Sequence, residues 1–102
     1  MPPLASFFIG DDGSITDETI EHYRRRAAGG PAMVIMEACA VSPEGIVSSH
    51  QPVIYHDRYI DGLSKIAAAI KKEGAVAALQ IHHGGRQISA RVIHRKPLAP
   101  SP

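Results

Sequence analysis

The chain has 102 residues, with 11 Lys and Arg against 10 Asp and Glu and a formal net charge of +1. Apolar residues make up 44% and charged residues 21%, ordinary globular usage that argues against wholesale disorder. So even a charge balance gives no electrostatic case for nucleic acid or an anionic membrane, and no apolar run approaches the roughly 20 residues of a membrane span.

Met1 leads straight into Pro2-Pro3 with no basic region ahead of an apolar stretch, so no signal peptide is expected. The first helix signal is Thr16, a capping residue, followed by Asp17 and Glu18 where the helix dipole favours carboxylates. Ile20, Tyr23, Ala27 and Ala28 then recur with helical spacing. Gly29-Gly30 stops the helix and Pro31 prevents its return, which predicts a helix over 17–28.

Ala32 to Met36 is an unbroken apolar run, too short for a helix and without alternation. It predicts a strand buried on both faces, the kind found in parallel sheets covered by helices. The run gives way to Glu37-Ala38-Cys39-Ala40-Val41 and is broken by Ser42-Pro43-Glu44-Gly45. A loop through His56 follows, longer than a simple connection requires.

Asp57 opens a second helix with Ile60, Leu63, Ala67 and Ile70 on one stripe, Lys71 and Lys72 in its last turn, and Gly74 to end it. Ala75 to Ile81 repeats the short buried strand, and His82-His83-Gly84-Gly85-Arg86 follows it. Residues 87–102, with Pro97, Pro100 and Pro102, show no period and read as loop or tail. The order of two helix-then-strand units predicts an α/β chain whose second strand lies parallel to the first by a right-handed crossover. Long segments follow strands while helix-to-strand turns are short. That asymmetry fits a (β/α) barrel, and it fits an open α/β sheet as well. With two strands, and the end of a third expected at Met1-Pro2-Pro3, the chain cannot close an eight-stranded barrel alone.

Few residues point to chemistry by themselves. Gln80 at a strand end offers a donor and an acceptor, and Gly84-Gly85 would admit a flat ligand; a plain glycine turn explains the same residues. Adjacent His82 and His83 point to opposite faces of a strand, and neither HExxH nor CxxC accompanies them, so no metal site is expected. Cys39 is the lone cysteine, which excludes an internal disulfide and fits a reducing compartment, the cytoplasm. It is expected to be a buried, inert thiol. Arg24-Arg25-Arg26 spreads round a helix and reads as a solvated face with local ion pairs. Glu37 ends an apolar run and needs either a basic partner or the surface.

Taken together, MPPLA, then DGSITDETIEHYRRRAAGGPAMVIMEACAVSPEG, then ALQIHHGGRQ resemble the N-terminal part of the old yellow enzyme family, the NADH:flavin oxidoreductases. The resemblance covers nearly the whole chain, and HHGGRQ is similar to the NADH oxidase branch. It implies an N-terminal fragment of a (β/α)8 TIM barrel, about two and a half βα units, with 1–102 a partial FMN-binding barrel domain. It implies FMN as cofactor, NADH or NADPH as reductant, and an iron–sulfur cluster only in a longer parent chain. Carried over by position, Pro2, Pro3, Leu4 and Ala5 match the segment whose backbone lies along the flavin. Ala38 matches the small residue after the second strand that packs on the isoalloxazine, and Gln80 the glutamine that bonds its pyrimidine edge. Ala5 replaces a cysteine found in one branch, and Phe7 stands where some members have a substrate-contacting tyrosine. The family's substrate-binding pair would fall beyond Pro102, so no catalytic residue is assigned. The resemblance implies a parent enzyme that passes hydride from NAD(P)H through FMN to an activated alkene or related small-molecule acceptor. The alternative is a truncated non-catalytic fragment, or a split-barrel subunit that self-associates or needs a complementing chain.

Overall fold

The computed structural model describes residues 1–94, 96 and 97. Helix α1 spans Asp17–Ala28, strand β1 Met33–Ala40, helix α2 Ile60–Lys72 and strand β2 Val76–His82. Thr16 caps α1 as its sequence predicts, accepting from the Thr19 amide at 3.1 Å. Gly30 follows α1 and Gly74 follows α2, both with φ +89°, the left-handed turn that glycine makes without a Cβ penalty. The start of the second helix differs from expectation. Asp57–Tyr59 is a 3₁₀ turn, and α2 proper begins at Ile60.

The two strands pair in parallel, as the crossover rule requires. Met1 lies along the opposite edge of β1: its amino group donates to Met33 O and its carbonyl accepts from Ile35 N at 3.1 Å. The expected end of a third strand is therefore present as a single parallel rung. At the other end of β1, Ala40 bridges to Val53 in parallel fashion, so the long loop after β1 turns back along that strand.

The core lies between β1 and the helices, where Tyr23, Ala27, Val34, Met36, Cys39, Ile66 and Ile70 are buried together. Ala28 and Ile60, placed on the apolar stripes by spacing, are exposed. The larger departure is β2. Both strands read as buried on two faces, yet Val76, Leu79 and Ile81 of β2 are exposed. Among the described residues β2 pairs only with β1, so its other edge has no strand neighbour, and α2 covers its helix-side face only in part, with Ala77 packed on the core and Ile81 exposed.

The region read as loop or tail, 87–102, also contains structure: Ala90–Ile93 forms one helical turn, α3, capped by Ser89. Its cap is a side-chain hydroxyl accepting from Arg91 N, a local effect that needs no periodicity. Residues 95 and 98–102 of that region lie outside the described residues.

Candidate functional site

A single irregularity in the ladder builds the site. Met36 pairs with Leu79, but the next pair is Ala38 with Gln80, which leaves Glu37 as the extra residue of a β-bulge. Strict alternation would send residues 34, 36 and 38 to one face. The bulge resets it: Val34, Met36 and Cys39 share the helix-covered core, and Ala38 turns instead to the opposite face beside Gln80. Ala38 was expected after the strand; it lies inside β1, which runs on to Ala40.

Ala38 and Gln80 line a cleft of about 150 Å³, with Pro3, Ala5 and Phe7 of the N-terminal segment along one wall. Four of the six predicted contact residues therefore meet in one place. Pro2 and Leu4 do not line it; Leu4 is 64% exposed. The polar cluster after β2 also divides. His82 lies beside the Gln51 amide at 3.3 Å, His83 Nδ1 accepts from Gly85 N to hold the turn, and Arg86 is exposed. Of Gln80, His82, His83 and Arg86, the cleft takes Gln80.

The remaining wall comes from the loop after β1, through Val47, Ser48, His50 and Gln51, none of which the sequence singled out. Gln51 is buried. Its Nε2 donates to Ala38 O at 3.0 Å and its Oε1 accepts from Val47 N at 2.8 Å, so one amide ties the loop to the bulge. His50 Nδ1 lies 3.1 Å from Ile9 O; a carbonyl only accepts, so that nitrogen carries the proton. No local pattern marks Gln51, because both its partners lie outside any repeat of the chain.

Electrostatics separate the cleft from the helix surface. The roomier hollow, about 360 Å³, sits on α1 among Glu18, Glu21, Arg25 and Arg26. Its charges are largely satisfied internally: Arg24 and Arg25 both pair with Glu21 at 2.7 Å, which holds the Glu21 carboxyl at about 2. Arg24 also reaches Glu73 past the end of α2. This is the ion-paired surface that the sequence predicts. Beneath the cleft, Cys39 is fully buried, and burial first, then the Glu37 carboxylate, pushes its thiol up to about 12. At neutral pH it is a thiol with no nucleophilic character. Among the described residues no group of three His, Cys, Asp or Glu side chains is placed to hold a metal.

What fits the cleft is a flat group with a polar edge. Ala5 and Ala38 leave room for close approach, and among the described residues no protein group bonds the Gln80 amide, which can give and take a hydrogen bond at once. These features suit one edge of an isoalloxazine. The volume is about half the roughly 300 Å³ at which small-molecule pockets begin, so these residues form part of a cradle. The cleft lies on one face of two parallel strands beside the loop that follows β1, the end of a (β/α) unit at which barrel sites are built.

The comparisons with known proteins agree. Residues 1–101 match the model of the NADH:flavin oxidoreductase / NADH oxidase family, and the chain belongs to that family. The NADH:fumarate oxidoreductase of Klebsiella pneumoniae is 44% identical over 102 residues, which is 99% of this chain and 11% of that protein. The old yellow enzyme homologue of Zymomonas mobilis superposes with a TM-score of 0.91 at 30% identity, over 99% of this chain and 28% of that one. Morphinone reductase in complex with tetrahydroNAD gives 0.89 at 28% identity, again over 99% of this chain and 28% of the other. The fold is thus the N-terminal fragment of an old yellow enzyme barrel, and the chain spans under a third of the length of these relatives.

Proposed function

We propose that this chain supplies the flavin-facing N-terminal wall of an FMN-dependent oxidoreductase that takes hydride from NADH or NADPH and passes it to an activated alkene or related acceptor. The observation that supports this reading is the convergence of Pro3, Ala5, Ala38 and Gln80 on one cleft, with Ala38 turned to that face by the bulge. Bound FMN would supply the redox chemistry. The work of this chain's residues is positional. Ala5 and Ala38 admit the ring, Gln80 pairs with its polar edge, and Gln51 fixes the loop that keeps water from one side. No side chain in the cleft is assigned as proton donor, and no iron–sulfur ligand set is proposed for these residues.

The open edge of β2 supports a second reading, in which the site works only when a complementing chain or a second copy covers that edge. One experiment addresses both. The purified chain is mixed with FMN, freed of unbound cofactor, and its visible spectrum recorded. The first reading expects a retained, shifted flavin band that Ala38→Leu and Gln80→Leu abolish. Retention only after a chain carrying the remaining barrel strands is added supports the second, and retention unaffected by both substitutions contradicts the cleft.

A further inference from the structure

Glu37 is the acid inside β1 and only 3% exposed. A buried carboxylate is ordinarily matched by Lys or Arg, and the sequence left that partner open. The structure matches it with three neutral donors instead: Ser6 N at 3.1 Å, Ser6 Oγ at 2.5 Å and Tyr23 OH at 3.1 Å. The Glu37 amide, freed from the ladder by the bulge, donates at 2.9 Å to the same Tyr23 oxygen. One phenol thus serves both the backbone and the side chain of the bulged residue. Burial pushes that phenol's ionisation above the ordinary range, so it stays a donor.

The other two bonds reach across to the cleft wall. Ser6 Oγ, held by Glu37, accepts from Phe8 N at 3.3 Å. Between these anchors Phe7 has φ +61°, a conformation that bulky side chains rarely adopt. Phe7 is 66% exposed, so apolar burial does not draw it there. The residue is constrained by what flanks it: Ser6 bonded to Glu37 on one side, and on the other Phe8, whose N–H reaches Ser6 Oγ and whose carbonyl accepts from Thr16 Oγ1 at 2.7 Å and Thr19 Oγ1 at 2.8 Å. Strain of this kind persists only where the surroundings over-determine it, and it gathers at ligand sites.

We propose that Glu37 is a positioning residue: acting through Ser6, it holds Phe7 in the left-handed conformation and fixes the cleft wall of Pro3, Ala5 and Phe7. Its consequence for cofactor affinity rests on the flavin reading above, whereas the clamp itself rests on the geometry alone. The bulge then has two effects from one residue, turning Ala38 into the cleft and aiming Glu37 at the segment opposite.

The test uses the full chain with Glu37→Gln, Ser6→Ala, Ser6→Thr and the Glu37→Gln/Ser6→Ala double variant. Amide hydrogen exchange is read residue by residue, and FMN affinity by quenching of flavin fluorescence. In both single variants exchange at Ser6 and Phe8 should rise about tenfold, the loss of one hydrogen bond, while Ile35 in β1 keeps its protection. FMN affinity should fall about fivefold in each, the double variant should be no worse than either single one, and Ser6→Thr should restore both readouts. Unchanged exchange at Ser6 and Phe8 in both variants overturns the proposal. So does an Ser6→Ala chain that binds FMN as the parent does while Glu37→Gln does not. If Glu37→Gln fails to fold, Ser6→Ala against Ser6→Thr decides the clamp. If the parent chain binds no FMN even after a chain carrying the remaining barrel strands is added, the flavin reading fails and exchange alone decides the clamp.

Discussion

β1 and β2 are composed of the same small and aliphatic residues and pair along seven positions, yet they occupy different environments. Cys39 of β1 has no exposed surface, and Ile81, its partner across the ladder, is 71% exposed. β1 has a neighbour on each edge, with Met1 and Val53 opposite β2, and helices on one face. Among the described residues β2 has one strand neighbour. An apolar run therefore reports that a strand is meant to be covered; it does not report whether the covering element is among the described residues. The contrast also places the site. The cleft forms where the completed strand bulges, and the uncompleted strand contributes to it only Gln80.

The sharpest way to break this comparison is to put one charge into each strand. Val34→Asp buries an unpaired carboxylate in the core and should remove about 4 kcal/mol or more, enough to abolish cooperative unfolding in urea followed by circular dichroism. Ile81→Asp should leave stability within about 0.5 kcal/mol and reduce self-association in sedimentation. Equal destabilisation by the two would mean that β2 is buried in solution. A smaller effect isolates the bulge. Tyr23→Phe leaves the Glu37 amide without its partner and takes one of two donors from Glu37 Oε1, and should cost about 1–3 kcal/mol with the helical signal retained.

The most gradual effect is a pH dependence. The Cys39 thiol is raised from 9.0 to about 12 in the fold. The folded chain thus holds its proton longer than the unfolded one, so stability is complete below about pH 9 and declines towards pH 12. The slope approaches about 1.4 kcal/mol per pH unit at most. Cys39→Ala should flatten the thiol's part of that slope in urea titrations between pH 8.5 and 10.5; an unchanged slope would show the thiol is not the group responsible.

Much of this fold was legible because its signals are local. Thr16 and Gly29-Gly30-Pro31 mark both ends of α1, and the alternation of helix and strand sets the parallel pairing. The bulge was not legible, because it depends on Glu37 meeting Tyr23, 14 residues away, and Ser6, 31 away. The same holds for Gln51, whose value lies in reaching Ala38 O. Of the site, Ala38 and Gln80 came from resemblance to a family; their shared face comes from the register shift, which spacing alone would have placed wrongly. An acid set in an apolar run was the one trace of it in the sequence.

The most direct test of the cleft is a titration of the isotopically labelled chain with FMN, followed by amide and side-chain amide resonances. The account predicts shifts that saturate together at Ala5, Ala38 and the Gln80 side-chain amide, with the outward Leu79 and the α1 hollow around Arg25 unmoved. Saturating shifts confined to that hollow, or to the exposed edge of β2, would contradict it.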